Sequence, residues 1–447
     1  MTETVQLEAI RPCLEGVVPS VLATVALDGT PNITLVSQVH FVDARHVALS
    51  FQFFNKTREN ILTNPYAKVQ VIDPDSSAHY RLSLRYLRTE AEGPLFEKMK
   101  AMLAGIASHT GMSKVFRLLG SDVYEVLSIE GAQSKPLPCA LPQHNRLSAL
   151  RATLSQLGQC TDLNSVFNAL LEALQHHFGI NHAMLLMYDR CGERLYTVAS
   201  HGYVVSGIGA EIPLGTGIIG VAAQERTPIR IMYMTGQYSY NIAVRNSMQQ
   251  SNPRLELETE IPFAGLEHPH SQIAVPITAD RQLIGVIYAD SSKNLRFTYE
   301  DEDALMALAD YLALCIAQHH ELSDVRPEQS VDIVADDSEN GPPSVIKHYA
   351  ANDSVFIDEE YLIKGVAGAI LWKLLHDFTT QQRTEFSNRA LRLDRSIGLP
   401  EVGDNLETRL ILLQKRLLER CDFLHIVKTG RGRFQLQVDR AMSLQEA

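Results

Sequence analysis

The sequence predicts a multidomain α+β protein with about three folded units, because its 447 residues are roughly three times the length of an average domain. Residues 1–135 are dominated by short strand-like segments separated by turns. Residues 271–320 contain two apolar strand segments followed by a helix with amphipathic spacing. Residues 345–440 contain amphipathic helices followed by a hairpin. Helices are therefore expected to pack against antiparallel sheets.

The composition is that of a globular protein, with 45% hydrophobic and 21% charged residues. The formal net charge of −12 argues against a protein that coats nucleic acid with its whole surface, but it is compatible with a local basic face. No apolar run approaches the ~20 residues that span a bilayer, and the N-terminus has no basic secretory region. Six scattered cysteines without a C-x-x-C pair predict neither a metal site nor a disulfide framework. We expect a cytoplasmic protein that does not bind membranes.

Strand-like segments recur at short intervals through residues 1–135, which favours a β-barrel or a sandwich. They are Ser20–Ala26, Ile33–Phe41, His46–Phe53, Lys68–Ile72 and Tyr80–Glu90. Helical segments are expected at 56–63 and at 94–107. The second of these has Leu95, Met99, Met102 and Leu103 on one face, a pattern typical of core packing.

This order resembles the FMN-binding split β-barrel of the pyridoxamine-phosphate-oxidase type. The resemblance rests on ATVALDGTPNITLV, on VALSFQFFNKTRENILTNPYAKVQVI and on the strand segment Asp122–Ile129. It implies that the segment between a strand and a short helix holds the flavin phosphate, and that the barrel forms homodimers. The implied cofactor-binding residues are Ser50, Phe51, Gln52, Asn55, Lys56 and Thr57.

The chain departs from that family at two cationic positions. Thr34 and Val39 stand where the family has an arginine and a lysine on the preceding strand. A phosphate needs charge-assisted donors, and only Lys56, with Arg58 nearby, remains obvious. A barrel that binds FMN and a barrel that serves only dimerisation therefore both remain open.

Residues 145–320 resemble a GAF domain, a cytoplasmic sensing module with an antiparallel sheet and flanking helices. The resemblance rests on PLGTGIIGVAA at 213–223, on TPIRI at 227–231 and on the hairpin and helix of 271–320. It implies a small-molecule ligand under the poorly patterned segment between Ile231 and Ser271. The implied pocket residues are Tyr233, Tyr238, Tyr240 and Asn241. An unliganded loop insertion is the alternative interpretation of that segment.

The acidic segment 321–344 has seven acids and one arginine, which predicts a flexible linker. From 360 to 440 the balance reverses, with fourteen Lys and Arg residues and ten Asp and Glu residues. Helices are predicted after Glu360, at 384–393 and at 405–420, and two strands follow, Phe423–Lys428 and Arg433–Val438.

Three helices followed by a hairpin with a Gly-Arg tip resemble the winged-helix domain of OmpR-type regulators. The resemblance includes SNRAL at 387–391 and HIVKTGRGRF at 425–434. It implies DNA binding by the third helix in the major groove and by the hairpin at the minor groove or backbone. The implied DNA-binding residues are Arg409, Lys415, Arg416, Arg420, Lys428, Arg431 and Arg433. A winged helix used for protein contacts, with its arginines in solvent, is the alternative.

Together these features predict a one-component regulator that senses a small molecule or a flavin redox state and binds DNA as a homodimer. No spacing predicts catalytic residues. An FMN-dependent oxidoreductase with regulatory GAF and winged-helix domains is the first alternative. A protein-binding scaffold is the second.

Overall fold

The structure is a computed structural model of the chain. It describes residues 5–14, 18, 20–36, 39–51, 55–74, 76–109, 118–131, 145–231, 261, 263–323, 343–399, 406–430 and 432–446. These residues form an N-terminal domain (5–131), a central domain (145–323) and a C-terminal domain (343–446). The multidomain α+β prediction is therefore confirmed. In the described part of the chain, none of the helices is both long and apolar enough to cross a membrane.

The N-terminal domain is built on a seven-stranded antiparallel sheet in the order β2-β1-β5-β6-β7-β4-β3, consistent with the expected split barrel. Alternation along β1 and β5 buries Leu22, Val69 and Val71. The strands are β1 (Ser20–Val25), β2 (Pro31–Val36), β3 (His40–Asp43), β4 (His46–Phe51), β5 (Tyr66–Ile72), β6 (His79–Glu90) and β7 (Gly120–Gly131). The helices are α1 (Lys56–Thr63), α2 (Pro94–His109) and a 3-10 helix (Leu7–Leu14).

The central domain contains a six-stranded antiparallel sheet in the order β10-β9-β8-β13-β12-β11. Three helices share an apolar core with one face of the sheet, and a fourth shares a core with the other face. The helices on the first face are α3 (Arg146–Leu157), α4 (Leu163–Phe178) and α6 (Tyr299–Ser323), and the helix on the second is α5 (Gly217–Glu225). The strands are β8 (His182–Asp189), β9 (Arg194–His201), β10 (Glu211–Pro213), β11 (Ile229–Ile231), β12 (Ser271–Ala279) and β13 (Gln282–Ser291).

The predicted hairpin and helix of residues 271–320 are confirmed as β12, β13 and α6. Asp280 and Arg281 form the hairpin loop with φ values of 50° and 62°, the positive angles that a type I′ turn requires. Helix α6 starts with a reciprocal cap: the Thr298 hydroxyl accepts from Asp301 N at 3.3 Å, and the Asp301 carboxylate accepts from Thr298 N at 3.0 Å. Local sequence therefore determines this part of the fold.

The C-terminal domain has a four-stranded sheet, β16-β15-β14-β20, and a three-stranded sheet, β17-β19-β18. The three predicted helices and the final hairpin are present, but two helices are shorter than predicted. The first begins at Gly365 rather than directly after Glu360, because Glu360–Ile363 pairs with β15 as a strand. The second is shorter because residues 385–387 pair with β19. The strands are β14 (Ser344–Tyr349), β15 (Ser354–Ile357), β16 (Glu360–Ile363), β17 (Glu385–Ser387), β18 (Leu424–Gly430), β19 (Arg433–Val438) and β20 (Met442–Glu446). The helices are α7 (Gly365–Gln381), α8 (Asn388–Leu393) and α9 (Leu406–Arg420).

The central domain contacts both of its neighbours. Helix α2 of the N-terminal domain packs on α5, and the Arg11 guanidinium lies 4.3 Å from the ring centre of Tyr299. On the other side, the apolar core around α4 and β9 continues without a break into the core around α7 and α9. The central and C-terminal domains therefore share one hydrophobic core.

Replacing Gly285 with alanine is expected to destabilise the central domain. Gly285 pairs with Met187 across β13 and β8, and a Cβ there would lie 2.2 Å from the Leu186 carbonyl oxygen. Because the two strands would have to separate locally, we expect the free energy of unfolding to fall by about 2–3 kcal/mol. Chemical denaturation measures this, with Gly131→Ala as the control, since a Cβ at Gly131 meets no atom within 4 Å. Equal stability of the two variants would contradict the β8–β13 pairing.

Candidate functional site

A cavity of about 180 Å³ lies in the N-terminal domain, where β1, β2, β4 and β7 meet the start of α1. Of the six residues implied for FMN, the four that line it are Ser50, Phe51, Asn55 and Thr57. Lys56 lies outside the lining and forms an ion pair with Glu59, with 3.2 Å between Nζ and Oε2. Gln52 lies outside the described residues.

The start of α1 uses its polar side chains to hold the local fold. Asn55 caps the helix, its Oδ1 accepting from Arg58 N at 3.0 Å. The Thr57 hydroxyl accepts from Asn32 Nδ2 at 2.9 Å, which ties α1 to β2. Two of the groups that the family resemblance assigns to a ligand phosphate therefore already have partners within the chain.

The charge of the cavity is set by Arg58 and Asp122. Arg58 donates one hydrogen bond to the Asp122 carboxylate and another, of 2.8 Å, to the Thr89 hydroxyl. Thr89 in turn donates to Asp122 Oδ1 at 2.6 Å, and the Arg58 guanidinium lies 4.3 Å from the ring centre of Phe51. Asp122 is not among the site residues expected from the sequence, because it lies 64 positions from Arg58 and approaches α1 only through the pairing of β7 with β4.

FMN can be tested against these residues. Among the described residues that line the cavity, Arg58 is the one cation and Asp122 the one acid, so their charges cancel. A phosphate dianion placed here would meet no net positive charge, and Asp122 would repel it. The residues therefore do not fit the phosphate of FMN.

A second polar cluster lies in the central domain around Asp290, which is 2% exposed. Its carboxylate accepts hydrogen bonds from Tyr203 Oη at 3.0 Å, from Leu266 N at 3.0 Å and from Tyr288 Oη at 3.3 Å. Burial raises the pKa of Asp290 above its usual value, although these bonds oppose the shift. Gln272 donates to Tyr288 Oη at 2.8 Å, and its Oε1 is buried without a partner among the described residues.

This Asp290 cluster lies at the edge of the segment that sequence analysis assigned to ligand binding. Leu266, whose backbone N–H bonds to Asp290, lies near the end of that segment, shortly before β12. The expected pocket residues themselves, Tyr233, Tyr238, Tyr240 and Asn241, lie outside the described residues. The sequence does contain a signal for Asp290. This acid directly follows the apolar run 283–289, and an acid that continues a buried strand needs hydrogen-bond partners.

Helix α9, the third predicted helix, packs two of its arginines, Arg409 and Arg416, inward. The Arg409 side chain is 7% exposed, and its Nη2 lies 2.9 Å from Asp189 Oδ2 of β8. Its guanidinium carbon lies 3.9 Å from the ring centre of Tyr196 on β9, whose hydroxyl is 2.7 Å from Thr408 Oγ1. Arg416 donates two hydrogen bonds, of 3.1 and 3.0 Å, to the Leu362 carbonyl oxygen.

The remaining residues expected to bind DNA have mixed environments. Lys415 Nζ donates to Asn168 Oδ1 at 3.0 Å, and burial lowers the pKa of Lys415 to about 8. Arg420 and Lys428 are about half exposed, with loose ion pairs to Glu360 at 4.0 Å and to Asp162 at 3.8 Å. Arg433 is half-buried on β19, and Arg431 lies outside the described residues.

Arg409 and Arg416, two of the residues expected to bind DNA, are buried and do not reach the surface in this structure. Helical spacing put these arginines on one stripe, but it could not show that the central domain covers Arg409 or that Arg416 bonds to Leu362 of its own domain. The physical reason is the shared core: Leu406, Leu410 and Leu413 of α9 pack into the same apolar cluster as Leu170 and Leu174 of α4.

Two family models match the chain. The pyridoxamine 5'-phosphate oxidase model matches residues 7–125, and the GAF domain model matches residues 162–316. No curated protein matches the sequence. The chain therefore carries an N-terminal domain of the pyridoxamine-phosphate-oxidase type and a GAF domain.

Several solved structures are similar to parts of the chain. The GAF domain of an Acinetobacter phosphoenolpyruvate-protein phosphotransferase is 17% identical, with 40% of this chain and 98% of that chain covered and a TM-score of 0.31. An FMN-binding protein from Syntrophomonas wolfei subsp. wolfei is 19% identical, with 29% and 87% covered and a TM-score of 0.25. Free methionine-R-sulfoxide reductase from Neisseria meningitidis is 20% identical, with 40% and 91% covered and a TM-score of 0.31.

Asp122→Asn is expected to tighten FMN binding. The substitution removes the carboxylate that neutralises Arg58, so the guanidinium becomes available to a phosphate, and we expect about a tenfold lower Kd for FMN. Quenching of flavin fluorescence measures the change. Riboflavin, which has no phosphate, should bind wild type and variant equally.

Glu59→Gln is the matched control for that experiment. It releases Lys56 on the same helix, but Lys56 does not line the cavity, so the Kd for FMN should stay unchanged. If Asp122→Asn left FMN binding unchanged, or tightened riboflavin binding to the same extent, the charge balance would not be what limits phosphate binding.

Proposed function

We propose that this chain is a signal-responsive regulator in which the GAF domain controls the C-terminal domain. The observation that carries the proposal is the burial of α9 against β8 and β9 of the GAF sheet, through Arg409, Asp189 and Tyr196. A ligand that changes the packing of this sheet changes the fit of α9 in the same core. In this proposal the GAF domain binds the signal, and signal binding controls whether α9 stays docked on the GAF sheet.

The output that we propose is DNA binding by a winged helix. The element order α7-β17-α8-α9-β18-β19, with β17 paired to β19, supports this assignment. In a winged helix the third helix enters the major groove, and here that helix is α9. The docked arrangement is therefore the state that does not bind DNA, because Arg409 is held by Asp189 of the GAF domain.

The switch requires an effector with different affinities for the docked and undocked states. The Asp290 cluster supports the GAF domain as its receptor. The carboxylate of Asp290 and the Oε1 of Gln272, which has no partner among the described residues, are both acceptors, so they favour an effector that donates hydrogen bonds. Tyr203 and Tyr288 supply hydroxyl groups to the same cluster.

The N-terminal domain serves dimerisation in this proposal. Strand β2 lies at the edge of the sheet, and its Ile33 and Leu35 are 71% and 73% exposed. An exposed apolar edge strand beside a cavity mouth favours a second copy of the chain as its partner. The FMN-dependent oxidoreductase is less well supported, because Asp122 already neutralises Arg58.

Substitutions on the GAF side of the contact test the proposal without changing the DNA-binding surface. Asp189→Lys and Glu211→Lys would repel Arg409 and Lys364, which now lie 2.9 and 3.2 Å from those two carboxylates. We expect the double variant to bind the DNA upstream of its own gene at least about tenfold more tightly than wild type, with an affinity that falls as salt rises. Fluorescence anisotropy at two salt concentrations measures both effects.

Asp310→Lys is the control for each substitution, since it makes the charge change of one of them at an exposed position of α6 away from the C-terminal domain. It should leave DNA affinity at the wild-type level. Limited proteolysis of the linker region would verify that the double variant is undocked. If the double variant is undocked and still does not bind DNA, the proposed DNA binding is wrong. Protein binding by the C-terminal domain would then be the alternative.

A further inference from the structure

A cavity of about 190 Å³ lies where the GAF and C-terminal domains meet, and it is separate from both sites described above. We call it the junction cavity. Its walls are the first turn of α4, one face of α9 and the β18–β19 hairpin. No single domain encloses it, so the cavity exists only while α9 is docked.

Three polar side chains that line the junction cavity have atoms without a partner among the described residues. Asn388 is 4% exposed, and its side-chain amide makes no hydrogen bond to any described residue. Arg433 is half-buried and forms neither an ion pair nor a side-chain hydrogen bond within the described chain. Asn164 also borders the cavity, and its Oδ1 is buried without a partner among the described residues. Buried polar groups are normally satisfied, so Asn164 Oδ1 indicates a ligand, and Asn388 and Arg433 are available to contact it.

Charges of both signs surround an apolar floor. Asp162 and Glu407 supply the acids, and Lys428 and Arg433 supply the cations. The Lys428 and Asp162 groups lie 3.8 Å apart, which leaves the pair loose and half in solvent. The floor is apolar, formed mainly by Leu410, Ile411 and Phe434.

We propose that the junction cavity binds an α-amino acid with an apolar side chain. The Arg433 guanidinium and the Asn388 amide donate to the carboxylate, the carboxylate of Asp162 accepts from the ammonium group, and the side chain lies on Leu410 and Ile411. The size agrees, because the volume is below the ~300–1,000 Å³ of pockets for larger ligands. A phosphate ester would be repelled by the two acids, and a simple cation by Arg433.

The proposal goes beyond DNA regulation and does not depend on it. Because the ligand contacts both domains, it binds the docked state alone and stabilises that state by mass action. The amino acid therefore holds α9 on the GAF sheet, whatever the C-terminal domain does when it is released.

Calorimetric titration of the full chain with leucine, methionine and phenylalanine tests the proposal. We expect at least one of them to bind and to raise the Tm, and we expect Arg433→Gln to weaken that binding at least tenfold. The amino alcohol of the same side chain, which lacks the carboxylate, should bind wild type and Arg433→Gln with equal, weak affinity, since its missing group is the one that Arg433 contacts. Arg389→Gln, at an exposed position outside the cavity, should bind like wild type.

A second variant tests the site by filling it rather than by removing a charge. Gly430 lines the cavity, and a Cβ there would meet only Arg433 Cβ, at 4.0 Å, so Gly430→Leu can fold and obstruct the cavity. It should abolish binding while circular dichroism stays unchanged. No binding of any of the three amino acids by wild type would overturn the proposal, and so would binding that survives both substitutions and is lost in Asp290→Asn, which would place the ligand in the GAF domain.

Discussion

The burial of the Arg409 guanidinium is the constraint on which the relation between the GAF and C-terminal domains depends. A charge removed from water has to be compensated by a partner and by hydrogen bonds, and here Asp189 and the face of Tyr196 provide the compensation. Leaving Arg409 buried without Asp189 would be strongly unfavourable. The contact is therefore specific, because α9 can dock only where an acid and an aromatic ring meet it in this geometry.

The GAF domain contacts both other domains of the molecule. One face of its sheet shares a core with α9, and the other face is covered by α5, on which α2 of the N-terminal domain packs. Gly209 has a φ of +88° and brings its loop close to α9, since a Cβ there would lie 3.7 Å from Leu412 Cδ1. A change in the sheet therefore reaches both neighbours through packed side chains, and no mobile linker is needed to carry it.

Local patterns in the sequence predicted most of the elements. The type I′ turn at Asp280-Arg281, the acidic start of α6 and the amphipathic stripe of α9 are each specified within a few residues. The functional geometry depends on long-range pairing, which a single sequence does not contain. Asp122 meets Arg58 across 64 positions, and Arg409 meets Asp189 across more than two hundred. Helical spacing grouped Arg409 and Arg416 correctly on one side of α9, but it could not distinguish a stripe that faces DNA from a stripe that faces a neighbouring domain.

A double-mutant cycle between Arg409 and Asp189 tests the docked arrangement most directly. The free energies of unfolding of wild type, Arg409→Ala, Asp189→Ala and the double variant give the coupling between the two side chains. A buried ion pair at 2.9 Å predicts a coupling of about 2 kcal/mol or more, with each single variant destabilised and the double variant little worse than either. Additive effects, with no coupling beyond experimental error, would show that α9 does not lie against the GAF sheet in the native protein.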